Sequence, residues 1–210
     1  MRNSEKKIAH LLLQNKAIKL NPAKPFQWTS GWKSPIYCDN RKTLSYPDTR
    51  NAIRDEFITV IRKEFKDAEA IAGVATGAIA HGALVADRMN LPFLYVRSSA
   101  KQHGMENLIE GDPRPGQRVV VIEDLISTGN SSLRAVEALR NRGCDVLGMV
   151  AIFTYGFRFS EENFLNAGCR LFTLSNYVLL LEQAIESGYI STENLEILKR
   201  WRKDPENWLS

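Results

Sequence analysis

Two adjacent carboxylates, Glu123 and Asp124, stand just ahead of a run of small, hydrogen-bonding residues: Ser127, Thr128, Gly129, Asn130 and Ser131, with Leu125 and Ile126 between. Each half of that string has its own chemistry. Carboxylates accept hydrogen bonds from vicinal hydroxyls, as a sugar ring presents them. Hydroxyls, a side-chain amide and a glycine whose backbone can approach a ligand closely suit an anion, above all a phosphate dianion. Side by side, the two halves specify a ligand with both a sugar and a phosphate. An ordinary strand-to-helix turn, in which Asp and Ser merely cap the helix, uses some of the same residue types. The acid pair together with so many donors goes beyond that.

The flanking segments say where this string sits. Val119 to Ile122 are apolar without alternation, as in a strand covered on both faces of a parallel sheet, and SSLRAVEALRNRG after the turn is an amphipathic helix. A helix start leaves backbone N–H groups unpaired and carries positive partial charge, which reinforces the phosphate reading. The rest of the chain repeats the theme: AIAGVATG, AIAHGALVADRM, LPFLYV, VVVIED and VLGMVAIF alternate strand, loop and helix. The fold class is therefore α/β, a central parallel sheet with helices on both faces, with ligands bound beyond the carboxyl ends of the strands. Two more loops follow strands. One holds Ala75, Thr76 and Gly77, whose backbone amides and small side chains suit an anion. The other, polar and basic, runs from Arg97 to Gly111 with Lys101 and His103 and ends near the turn signal DPRPG, as a movable surface segment does.

Around this core, residues 4–19 predict an amphipathic helix that Ser4 can cap, and Phe26 to Asn40 predict a short hairpin or extended segment lying over the core. Residues 1–45 are thus expected to form a hood on a single domain. Pro47 and Asp48 open a helix with Ile53, Phe57, Val60, Ile61 and Phe65 on its inner stripe. Near the end, RLFTL predicts a short strand, followed by helices from about Asn176 to Glu186 and from about Thr192 to Arg202. The stripe Leu195, Leu198 and Trp201 packs on the core or hood.

A length of 210 residues suits one sizeable core, and a net charge of +4 is too small to require nucleic acid. Lys199, Arg200, Arg202 and Lys203 read as a solvated helix face. Cys38, Cys144 and Cys169 are odd in number and lack metal or redox spacing, so free thiols in a reducing cytoplasm are expected. The first residues fail as a signal peptide and no apolar run approaches membrane-spanning length, so no membrane partner is expected. His10 and His81 lie on predicted helices, and no metal-ligand cluster is visible.

The string from Val119 to Ser132 resembles the phosphoribosyl pyrophosphate (PRPP) motif of type I phosphoribosyltransferases, in which an acidic pair binds the ribose hydroxyls and the loop holds the 5′-phosphate. FQWTSGWKSPIYCDNR, residues 26–41, resembles the N-terminal signature of the orotate phosphoribosyltransferase family, built around SG, KSP, an aromatic and an acid. YVRSSAKQHG, from Tyr95 to Gly104, is similar to that family's mobile catalytic loop. The resemblance runs from about residue 4 to residue 175. It implies the type I phosphoribosyltransferase fold with its hood, and transfer of ribose 5-phosphate from PRPP to orotate in pyrimidine synthesis. It assigns PRPP to Arg97, Lys101, His103 and Glu123 through Ser131, with Lys101, His103 and Asp124 as the catalytic residues. The same resemblance makes Ala75, Thr76 and Gly77 the pyrophosphate loop, acting mainly through backbone. It places orotate between the backbone at Tyr37 and Cys38 and the Ser127 hydroxyl. Mg²⁺ arriving with PRPP, and a homodimer whose mobile loop reaches the neighbouring site, are implied as well. Two alternatives stay open: a phosphoribosyltransferase for another base, and a non-catalytic PRPP-fold regulator that binds RNA through the C-terminal basic residues, marked by strong salt dependence.

Overall fold

The computed structural model describes residues 2–28, 31–97 and 108–208. Helix α1 (Arg2–Gln14) places Ile8, Ala9, Leu12 and Leu13 inward at helical spacing. It begins two residues before Ser4, which is therefore in its first turn and not its cap, and it ends short of the expected residue 19. Lys16 takes a left-handed φ of 53°, and the apolar residues beyond it become a strand. That strand, β1 (Ile18–Leu20), pairs antiparallel with β4 (Ile36–Cys38), and between them β2 (Phe26–Gln27) pairs with β3 (Lys33–Ser34). These two small ladders match the extended character expected of residues 26–40. A 3-10 turn over Asn40–Ser45 leads into α2 (Pro47–Glu64).

The central sheet is assembled from β5 (Ala70–Val74), β6 (Phe93–Val96), β7 (Ile109–Glu110), β8 (Arg118–Ile126), β9 (Asp145–Thr154) and β10 (Leu171–Asn176). Its order is β10-β9-β8-β5-β6-β7, and every pairing is parallel except that of β6 with β7. Two residues at the end of a polar loop are too short a run to announce an edge strand in the sequence. The helices α3 (Ile79–Met89), α4 (Asn130–Asn141), α5 (Arg158–Asn166), α6 (Tyr177–Glu186) and α7 (Thr192–Lys203) fill the intervals. Asn176 and Ser191 cap α6 and α7, accepting from Leu179 N and Asn194 N.

Strand β8 shows why both faces must be covered. Val120 and Ile122 join one core with α1, α2 and the C-terminal helices, whereas Val119 and Val121 join a second with Ala135, Val136 and Leu139 of α4 and Phe164 of α5. Each such fully buried side chain contributes about 1.5–3 kcal/mol. The strand does not stop at Ile122. Its ladder continues through Glu123↔Ala151, Leu125↔Phe153 and Ile126↔Thr154, so the acid pair lies within the strand and not in the loop after it.

Behind the strand ends lies an aromatic wedge. The Trp28 ring, just after β2, stands 5.1 Å from Tyr155 and 5.6 Å from Trp201 of α7. Trp28 Nε1 donates to Ile36 O at 3.0 Å, and the Tyr177 hydroxyl donates to Leu198 O at 3.0 Å. Arg202 donates to Tyr155 O at 3.0 Å and to Gly156 O at 2.9 Å, and Lys199 pairs with Glu196. Two of the four C-terminal basic residues are thus engaged in intramolecular contacts. Among the described residues no helix is long and apolar enough to cross a membrane. Cys144 and Cys169 are buried free thiols that pack as small hydrophobes.

Candidate active site

Strands β8, β5 and β6 are neighbours and run parallel, so the loops at their carboxyl ends must converge. A cleft of about 290 Å³ opens between two of these loops, lined by Ala75, Thr76 and Gly77 on one side and Glu123, Asp124, Leu125, Ser127, Thr128, Gly129 and Ser131 on the other. A larger groove of about 880 Å³ between α6 and α7 is lined by side chains such as Phe157, Val178 and Leu195. It has neither the acid pair nor either small-residue loop.

The amino end of α4 is left open. Gly129, with φ 81°, precedes its first residue and no side chain caps it. The amides of Ser127, Thr128, Gly129 and Ser131 have no acceptor among the described residues. A side chain at position 129 would be strained by that φ and would place its Cβ 2.8 Å from the Phe164 ring. Asn163 of α5 steadies the loop by donating to Thr128 O at 3.3 Å and to Asn130 Oδ1 at 3.4 Å. Across the cleft, the amides of Thr76 and Gly77 are also without partners among the described residues, and the Ala75–Thr76 peptide is cis. The Asp124 carboxylate lies against Gly77 so closely that a Cβ there would stand 2.2 Å from Oδ2.

Consecutive residues of a strand point to opposite sides of the sheet, yet the two carboxyls stay within reach of each other at the cleft. Glu123, 5% exposed, turns toward α4. Its Oε2 accepts from Ser132 Oγ at 2.8 Å and its Oε1 from Asp124 N at 3.0 Å. The Asp124 carbonyl accepts from Asn40 Nδ2 at 2.5 Å. Burial pushes the Glu123 carboxyl well above its ordinary range, and the neighbouring Asp124 charge adds to this. Burial also raises Asp124, opposed by its hydrogen bond with Glu123 and by the charge of Arg41.

The remaining expected residues are spread more widely. Tyr37 is exposed and Cys38 half-buried; they lie on β4 outside the cleft lining and reach it through Asn40, whose Oδ1 accepts from Cys38 Sγ at 3.3 Å. Burial, then the charges of Asp124 and Asp39, push the Cys38 thiol well up, so it is no nucleophile. Arg97 directly follows β6 and turns toward Glu110, 3.5 Å away, outside the cleft lining. Lys101 and His103 lie outside the described residues. Asn130 and Ser131 are exposed in the first turn of α4. Among the described residues, no three His, Cys, Asp or Glu side chains converge to hold a metal.

Sequence reasoning passed over four residues that the structure brings to the site. Ser132 fixes Glu123, and its place two residues into the helix was a usable signal. Asn40 and Arg41 close the hood signature. Tyr155 is buried where its phenol, raised first by burial, also feels Cys38, Asp124 and Tyr37. Only the fold could bring it there, since it is an isolated tyrosine after an apolar strand.

Residues 48–158 match the phosphoribosyl transferase domain family. The chain is 61% identical over 208 residues to an orotate phosphoribosyltransferase from Porphyromonas gingivalis, covering 99% of each chain. Among solved structures, an orotate phosphoribosyltransferase from Aeropyrum pernix superposes with a TM-score of 0.76 at 30% identity, over 88% of this chain and 99% of that one. A UMP synthase from Leishmania donovani superposes with a TM-score of 0.80 at 26% identity, over 96% of this chain and 42% of its own.

Proposed function

We infer the working of the cleft from one premise: the chain belongs to the orotate phosphoribosyltransferases. It transfers ribose 5-phosphate from PRPP to orotate, giving orotidine 5′-phosphate and pyrophosphate, in pyrimidine nucleotide synthesis. The observation that best supports the assignment of roles is the uncapped amino end of α4 set beside the acid pair of β8 and facing the free amides of Thr76 and Gly77.

In this reading the 5′-phosphate sits on the amides and hydroxyls of Ser127 to Ser131, with Leu125 and Ile126 carrying the backbone to them. The pyrophosphate is held across the cleft by Ala75, Thr76 and Gly77. As the anomeric C–O bond breaks, its electron pair leaves with pyrophosphate and positive character grows on the sugar until the ring nitrogen of orotate, giving up its proton to the departing pyrophosphate, bonds to the same carbon. Asp124 stabilises that charge through a ribose hydroxyl, while Glu123, held by Ser132, keeps the second acceptor in place. Arg97, Lys101 and His103 supply positive charge to the leaving group. Orotate lies between the backbone at Tyr37 and Cys38 and the Ser127 hydroxyl.

The donor set fits Mg²⁺ carried by the substrate, because Asp124 is a half-buried carboxylate at the cleft while no protein cage surrounds it among the described residues. Bound there, the ion supplies charge neutralisation for the pyrophosphate. The reading includes residues 1–45 as the hood of one domain, a homodimer in which the basic loop reaches the neighbouring site, and a cytoplasmic location suited to three free thiols.

The test is to incubate the protein with PRPP and Mg²⁺ and, separately, orotate, uracil, adenine or hypoxanthine, following loss of each base. Only orotate should be consumed. Turnover of another base in its place, or RNA binding with no turnover at all, would overturn the reading.

A further inference from the structure

Orotate differs from uracil by an exocyclic carboxylate, and a carboxylate that leaves water for a binding site needs a cation or several donors in exchange. Among the residues assigned to the base, Tyr37, Cys38 and Ser127 bring no positive charge. We propose that Arg41 is the residue that recognises this carboxylate and so sets the choice of base. This inference rests on the assignment of orotate made above.

Four observations carry it. First, Arg41 belongs to the turn Asn40–Ser45, which is docked on the strand bearing the ribose acid: Asn40 Nδ2 donates to Asp124 O at 2.5 Å, and Thr43 Oγ1 donates to Asn40 O at 2.6 Å. The guanidinium is therefore tethered to the place where the sugar must sit, one bond from the base. Second, its Nε donates to Asp39 Oδ1 at 2.7 Å. That bond fixes the plane of the group, while its two terminal nitrogens have no hydrogen-bond partner among the described residues. Third, the side chain is 58% exposed, so that edge is open to a ligand. Fourth, the charge of Arg41 acts on Asp124 and interacts with Tyr37, so it is near both the ribose acid and the position assigned to the base. A planar fork with one edge held by Asp39 and the other empty matches a carboxylate in a two-bond pair.

A surface ion pair with Asp39 alone would make the same contact at Nε, and the two roles differ in what they discriminate. Orotidine 5′-phosphate and uridine 5′-phosphate share sugar and phosphate and differ in the carboxylate. Their affinities, measured by calorimetry for the wild type, Arg41→Gln and Arg41→Lys, isolate its recognition. Arg41→Gln should weaken orotidine 5′-phosphate about 10- to 100-fold while leaving uridine 5′-phosphate and PRPP nearly unchanged. Arg41→Lys, which keeps the charge and loses the fork, should fall between. Equal weakening of both nucleotides, or no loss of preference in either variant, overturns the role of Arg41. Failure of the wild type to consume orotate is a separate result that sinks the underlying assignment instead.

Discussion

The carboxyl edge of β5 and β8 and the aromatic wedge behind it are built on opposite terms. At the edge, Gly77 and Gly129 replace side chains with space, amides are left without acceptors, and two acids are held above their ordinary titration range. In the wedge, Trp28, Tyr155, Phe157, Tyr177 and Trp201 meet ring against ring, and Trp201 is fully buried. One region gives up packing for a surface that a sugar phosphate can complete. The other supplies the rigidity that holds the surface in shape. The contrast shows why stability and activity should be separable here, since the groups awaiting a ligand are not those that hold the fold together.

Removing the centre of the wedge should have the largest effect on folding. Trp201→Ala should cost about 3–5 kcal/mol in a denaturant titration, while the fraction still folded at low temperature keeps most of its turnover. A loss of turnover beyond the unfolded fraction would mean that the wedge acts on chemistry directly. At the edge the opposite is expected. Asp124→Asn should lower kcat/KM about 10²- to 10³-fold, yet its melting temperature should hold or rise, because a carboxyl raised by burial is a poor stabiliser when ionised. A variant that loses melting temperature and activity together would erase the distinction.

A smaller effect sharpens the boundary between the regions. His81 is buried on α3, 3.2 Å from Thr43 Oγ1, and burial, aided by the charge of Arg50, pushes its imidazole down to about 4. Between that value and the ordinary 6.5 the unfolded chain binds a proton that the folded chain does not. Stability from this group is therefore complete above the window and lost as pH falls through it, a span of about 3 kcal/mol. Denaturant titrations from pH 7 to 4 should show a shallower decline for His81→Gln than for the wild type. Parallel curves would place the acid sensitivity elsewhere.

The sequence was most legible where a single segment carries the whole physical cause. Val119 to Ile122 have the unbroken apolar character of a strand buried on both faces, and the glycine and hydroxyls after it mark a helix start by residue type alone. Boundaries were less legible. Glu123 and Asp124 are charged, yet the pairing of Glu123 with Ala151 and of Leu125 with Phe153 holds this stretch in the ladder, which runs on to Ile126. Ala17 and Ile18 continue a helical apolar period, yet the left-handed turn at Lys16 ends it and Ile18 begins β1. Least legible were Asn40 and Tyr155, whose places at the site depend on contacts made across the fold, such as Asn40 reaching the carbonyl of Asp124, 84 positions away.

The placement of the two acids within β8 makes their spelling order meaningful. Glu123 has the longer arm and spans the gap to Ser132; Asp124 has the shorter and lies against Gly77, where a Cβ on the glycine would meet its carboxylate. Written the other way round, the dipeptide would keep the same charge and composition, but the short acid would fall a methylene short of the helix and the long one would collide with the opposite loop. Two neighbouring letters of similar chemistry thus form a palindrome-proof word, legible in one direction because a sheet has two sides.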